Sequence, residues 1–116
     1  MKATVSVYEP MYEFNDKKYI RFIIPKNCSE IIERMHTHRM HLLKNDQVDN
    51  PLDGHILKVK IPFRYRRVMC KVQGRPIQSL ERGQEVDVEI DFKGVWNVGN
   101  YSGFSWVLSS LLVSSP

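Results

Sequence analysis

Residues 84–113 read QEVDVEIDFKGVWNVGNYSGFSWVLSSLLV, and their pattern decides what kind of fold the chain builds. Val86, Val88, Ile90 and Phe92 alternate with Glu85, Asp87, Glu89 and Asp91. A period of two is that of a strand with one face buried and the other in water. After Val95, Trp96 and Val98, the run Gly99-Asn100-Tyr101-Ser102-Gly103 supplies turn residues. Phe104, Trp106, Leu108 and Leu112 then share one parity, and Val107, Leu111 and Val113 the other. The stretch predicts a long hairpin with two tryptophans toward its closed end.

Moving upstream, Gln73-Gly74-Arg75-Pro76 breaks the chain, and Ile77–Gly83 turns it into the hairpin, with Gly83 suited to a positive backbone angle. Phe63–Val72 reads as a strand with Val68, Cys70 and Val72 inward and Arg67, Met69 and Lys71 outward. Ile56–Ile61 reads the same way, with Leu57, Val59 and Ile61 inward and Lys58 and Lys60 outward. The polar stretch Asn45–Gly54, interrupted by Pro51, is expected to be a surface loop. Before it, Ser29–Leu43 has helical spacing behind an Asn27/Glu30 capping box, and Ile31, Met35 and Leu42 form the packing stripe, flanked by Ile32 and Leu43. Thr4–Tyr8, ended by Pro10, and Lys18–Ile24, ended by Pro25, are the first strands, with a turn at Asn15-Asp16-Lys17.

This order predicts a mainly β chain, one domain over residues 1–116: a small antiparallel barrel with one α-helix and an additional N-terminal strand. Closure would remove the exposed edges of so many strands. A small sandwich with a helix at one end is the rival.

Composition excludes several function classes. No secretory apolar segment opens the chain and no apolar run approaches ~20 residues, so an intracellular protein without membrane contact is expected, in the cytoplasm, the nucleoid or a viral replication site. Two cysteines, Cys28 and Cys70, do not make a disulfide scaffold, and Cys70 is expected as a buried thiol. His36, His38 and His41 lack the partners of a zinc site, and Glu85 to Asp91 fit a solvated strand face. With no phosphate-cradling glycine loop, no paired cysteines and no nucleophile elbow, no enzyme, catalytic residue, metal or cofactor is expected.

Charge is more informative. The net charge is only +4, but Gly54–Pro76 holds seven Lys or Arg residues and no Asp or Glu. Lys58, Lys60, Arg67 and Lys71 alternate outward and are expected to form one patch, with Arg64 and Arg66 at the strand entry. Tyr65 lies inside this cluster, and Trp96, Tyr101 and Trp106 lie about the hairpin turn. Positive side chains mixed with flat rings are what a single-stranded nucleic acid meets in its binders, because phosphates need cations and unpaired bases stack. These ten residues are the candidate contacts.

Ser79–Val88, Val95-Trp96 and Ser102–Leu108 with Leu111–Val113 resemble the last strands of compact single-stranded DNA-binding proteins of DNA viruses, bacteriophages and related replicons, and residues 57–80 resemble the preceding ones. The resemblance implies an OB-fold-like barrel that coats transient single-stranded DNA in replication, recombination or repair, without chemistry or strong sequence preference. It implies that Tyr65, Arg66, Arg67, Trp96 and Trp106 stack on bases and contact the backbone. Besides single-stranded DNA, further copies of the chain and replication proteins are the partners expected. Single-stranded RNA binding, or an assembly domain of a replication or viral complex, are the alternatives.

Overall fold

In the computed structural model, which describes residues 1–113, the chain opens with β1 (Lys2–Phe14) and β2 (Lys17–Ile23), an antiparallel pair. Asn15 and Asp16 join them with φ of 52° and 63°, the left-handed pair a two-residue hairpin needs and that Asn and Asp tolerate. Contrary to expectation, Pro10 does not end β1. The β1–β2 register shifts between Val7 and Tyr12, and such an irregularity accepts a residue with no N–H.

The helix α1 (Lys26–Thr37) starts earlier and ends sooner than its spacing predicts, with a separate 3-10 turn at Met40–Leu42. Pro25 precedes its first residue and no side chain caps it. Asn27 therefore lies inside the helix, and the expected capping box does not form. The buried face is Cys28, Ser29, Ile32 and His36, whereas Ile31 and Leu42 are exposed. The buried stripe lies one position on from the expected one, because the His36 imidazole, polar by type, fills an apolar slot.

The expected loop holds two short strands, β3 (Gln47–Asp49) and β4 (Leu52–Asp53), before β5 (Ile56–Ile61). The strand expected over Phe63–Val72 is three pieces: β6 (Phe63–Arg64), β7 (Arg67–Val68) and β8 (Lys71–Gln73). Tyr65 and Arg66, with φ of 53° and 65°, reverse the chain where parity predicted continuity. Cys70 is consequently half-buried, not sealed in the core. β9 (Glu85–Val98) and β10 (Tyr101–Leu112) form the long hairpin, which turns at Gly99-Asn100, so Tyr101, Ser102 and Gly103 belong to a strand.

The apolar alternation of β5 and β9 is the core: Leu57, Val59, Ile61, Val86, Val88 and Ile90 are buried together with Ile20 and Phe22. Register brings them into contact, Ile20 opposite Val59, Phe22 opposite Leu57 and Leu108 opposite Ile90. The sheet runs β3-β10-β9-β1-β2-β5-β4. The antiparallel barrel is corrected here. β10 runs parallel to β3 and β8, and β5 meets it at a single parallel pair, Val107 opposite Lys60, so the sheet is mixed and no ladder closes it into a ring. Alternation fixes which face is wet but not the direction of a neighbour reached by a crossover. Among the described residues no helix is long and apolar enough to cross a membrane.

His36 fastens the helix to the sheet. The Trp106 indole N–H donates to His36 Nε2 at 3.0 Å, and the imidazole stacks on Phe104 with centroids 3.9 Å apart and planes 4° from parallel. A nitrogen that accepts carries no proton, so the ring is neutral. Burial, helped by the Arg39 charge and opposed by the Asn50 side chain, lowers its pKa from 6.5 to about 4. The unfolded chain then takes up a proton that the folded chain refuses, and stability falls as pH drops from about 6.5 to about 4, by on the order of 3 kcal/mol. Urea midpoints across that window are expected to follow this slope, and His36→Gln to flatten it; an unchanged slope in the variant would assign the titration to another group.

Candidate functional site

A cleft of about 1000 Å³ lies between the β1–β2 turn and the β9–β10 hairpin. The turn contributes Phe14 and Lys17, β2 contributes Tyr19, and β5 contributes Lys58 and Lys60. β3 supplies Gln47, Val48 and Asp49, and the hairpin adds Trp96, Val98, Tyr101, Phe104 and Trp106. Register explains the grouping. Tyr19 stands opposite Lys60 on neighbouring strands, and Lys60 opposite Val107 on β10, so the wet face of β2 and β5 continues onto the hairpin.

Two of the three lysines, Lys17 and Lys60, make no ion pair among the described residues. Lys58 does: its Nζ donates to Asp49 Oδ2 at 2.9 Å and sits 5.2 Å from the Tyr19 ring centroid. Tyr12 packs beside Tyr19, centroids 5.8 Å apart. Burial, with the Asp49 carboxylate adding to it, raises the Tyr19 phenol above its usual value, so Tyr19 meets a ligand as a neutral ring with a hydroxyl donor.

Trp96 lies against Gly103. A Cβ there would come within 2.6 Å of the indole Cζ2 and 2.7 Å of the Asp49 carbonyl oxygen. Only a glycine lets both the ring and β3 approach β10 so closely. A polar network fixes the same corner. Asn97 Oδ1 accepts from the Lys44 N–H at 2.8 Å and from the Ser102 hydroxyl, whose oxygen accepts from the Asn45 N–H at 3.0 Å. The Asn97 amide donates to the Leu42 carbonyl at 3.2 Å, and that of Asn45 to the Tyr101 carbonyl at 2.7 Å. Ser102 is fully buried, so these bonds hold the loop carrying β3 to the hairpin.

Of the ten candidate contacts, Lys58, Lys60, Trp96, Tyr101 and Trp106 meet in the cleft. Trp106 takes a core position, 3% exposed with its N–H given to His36, so it backs the cleft and offers no free stacking face. Arg64, Tyr65, Arg66 and Arg67 form the separate β6–β7 hairpin, with Tyr65 84% exposed at its tip. Lys18 over the Phe63 ring, at 5.2 Å, sets the base of that hairpin beside β2. Lys71 lies elsewhere, on β8 in a groove shared with Lys2, Asp87 and Glu89. The single patch expected of Lys58, Lys60, Arg67 and Lys71 is therefore corrected to three places, because the strand expected to carry the last two is broken at Tyr65-Arg66 and again at Met69-Cys70. Sequence reasoning missed Phe14, Lys17, Tyr19 and Asp49. The parity of Lys17 and Tyr19, opposite to Ile20 and Phe22, was the signal for two of them.

Other groups offer less chemistry. The Ser29 hydroxyl lies 3.0 Å from His55 Nδ1 but donates to the Lys26 carbonyl at 2.8 Å, and it is buried. Burial raises the Cys70 thiol, which keeps it protonated near neutral pH. Among the described residues no three His, Cys, Asp or Glu side chains are grouped to hold a metal ion.

No family model, no curated protein and no solved structure matches the chain. With a mixed sheet in place of the barrel and no match to support it, the resemblance to OB-fold single-stranded DNA-binding proteins of viruses and phages is set aside. Asn97→Ala is expected to release residues 44 and 45 from the hairpin and cost about 1–3 kcal/mol, since it strands the Ser102 hydroxyl. Amide exchange at Lys44 and Asn45, measured by NMR, should accelerate; exchange as slow as in the parent would place the anchor elsewhere.

Proposed function

We propose that the chain binds single-stranded nucleic acid in this cleft, without catalysing a reaction. What carries the reading is the convergence on one open cleft of Lys17, Lys58 and Lys60 with Tyr19, Trp96 and Tyr101. Ammonium groups neutralise phosphates, and flat side chains take bases that are not paired to a second strand, each such stack being worth about 1–3 kcal/mol. Base stacking and phosphate attraction act on ribose and deoxyribose strands alike. A labelled oligonucleotide titrated at two salt concentrations, as single-stranded DNA, as its duplex and as RNA, tests it. Tighter binding of the single strands, weakening as salt rises, is expected; no preference for single strand over duplex would overturn it.

Two variants probe the parts. Lys60→Gln removes a cation with no ion pair among the described residues and is expected to lower the log–log salt slope by about 0.7 for a single strand. A slope equal to the parent's would take Lys60 out of the contact. The β6–β7 tip supplies the other probe. Tyr65 and Arg66 hold left-handed backbone, which costs side chains of this kind roughly 1–2 kcal/mol each, whereas Asn-Gly relaxes there. Replacing the pair by Asn-Gly is expected to raise thermal stability and, because the tip does not line the cleft, to leave oligonucleotide binding close to the parent's. Stabilisation with a marked loss of binding would extend the interface to the tip.

A second reading, protein assembly, is favoured by the apolar side chains at the mouth of the cleft: Phe14 and Val98 are 63% and 68% exposed, with Val48 beside them. Mass measurement with and without oligonucleotide separates the two. A stable oligomer that an oligonucleotide does not shift would favour assembly.

A further inference from the structure

We infer that Asp49 is a built-in competitor for phosphate, a carboxylate that sets how readily the cleft accepts an anionic strand. The inference rests on the nucleic-acid reading above. Asp49 is the one carboxylate among the described residues lining the cleft, against three lysines. Its Oδ2 holds Lys58 Nζ at 2.9 Å, and in that position the ammonium lies over the Tyr19 ring, 5.2 Å from its centroid. One acidic side chain thus occupies a cation and, through it, covers a stacking surface.

The backbone puts the carboxylate there. β3 pairs with β10 at Asp49 opposite Gly103, and the absence of a side chain at Gly103 admits the Asp49 carbonyl. The pair is nonetheless loose, with side chains 29% and 44% exposed, and exposed pairs of this kind contribute little to stability. A phosphate can therefore displace Asp49 without disturbing the sheet, but the displaced charge stays within the cleft and repels it. A single phosphate gains one ammonium and meets that repulsion. A strand offsets it with further phosphates on Lys17 and Lys60 and with bases on the uncovered rings, so Asp49 favours polymers over mononucleotides and free phosphate.

The test is a titration of fluorescein-labelled oligodeoxythymidylate against the parent, Asp49→Asn and Asp46→Asn. Asp46 is exposed in the same loop but does not line the cleft, so its variant removes equal charge without touching Lys58. Asp49→Asn is expected to bind about three- to tenfold tighter at low salt. Its salt slope should steepen by about 0.7, because the freed Lys58 now exchanges its own counterion. Asp46→Asn should stay within about twofold of the parent, and the gain should vanish when Asp49→Asn is placed on Lys58→Met. Asp49→Ser answers the same question if the Asn variant does not fold by circular dichroism. Binding no tighter than the parent's, or an equal gain from Asp46→Asn, overturns the role of Asp49 and leaves the proposed function standing. A parent chain that fails to bind oligonucleotide overturns that function and this inference together.

Discussion

β10 is hydrogen-bonded along both of its edges, and the rest of the molecule depends on that. β9 takes one edge through the whole hairpin, and β3, β5 and β8 meet the other in turn, at Tyr101–Gly103, at Val107 and at Ser110–Leu112. A strand as buried as this one, with Gly103, Phe104, Trp106 and Leu108 all withdrawn from water, cannot leave its amides and carbonyls unpaired, since each orphaned group would cost about as much as a lost hydrogen bond. No single neighbour is long enough to cover the second edge. Three short segments share it, and each brings its own loop to a different place along the hairpin.

That sharing builds the cleft. β3 lies at the Tyr101 end of β10, beside Trp96, and carries Asp49. β5 touches the middle and carries Lys58 and Lys60, with Tyr19 on the adjoining β2. A chain of net charge +4 has no strong field of its own, so what matters is where its cations stand. Among the described residues, three stand in one concavity with a single carboxylate. Meanwhile Lys18 and Arg21 pair with Glu13 and Glu9 outside it.

Behind the cleft the contacts are dry and aromatic. His36 stacks on Phe104 and accepts from Trp106, while Phe92 packs with its ring centroid 4.9 Å from that of Trp106 and carries the Arg39 guanidinium over its ring, 5.1 Å from the Phe92 centroid. The imidazole works here as an apolar plate with one acceptor, which satisfies the indole N–H that burial would otherwise strand. Helix, sheet and cleft lining are thereby joined through one neutral ring, and the lining is backed by side chains that are already fixed before any ligand arrives.

The sequence by itself determined the long hairpin, the inward faces of β5 and β9, the helix and the basic character of residues 54–76. Each of these is local: alternation, spacing and charge are properties of neighbours along the chain, and packing had only to agree with them. The break at Tyr65-Arg66 escaped because neither residue is a usual occupant of left-handed backbone, and His36 escaped because its burial depends on Trp106, far along the chain. Only the tertiary structure decided that β10 has parallel neighbours, that Lys58 and Lys60 part company with Arg67 and Lys71, and that Tyr19 and Asp49 join the cleft. The physical reason is that strand direction and cross-strand register belong to pairs of distant segments, and parity within one segment carries no record of which partner it will meet.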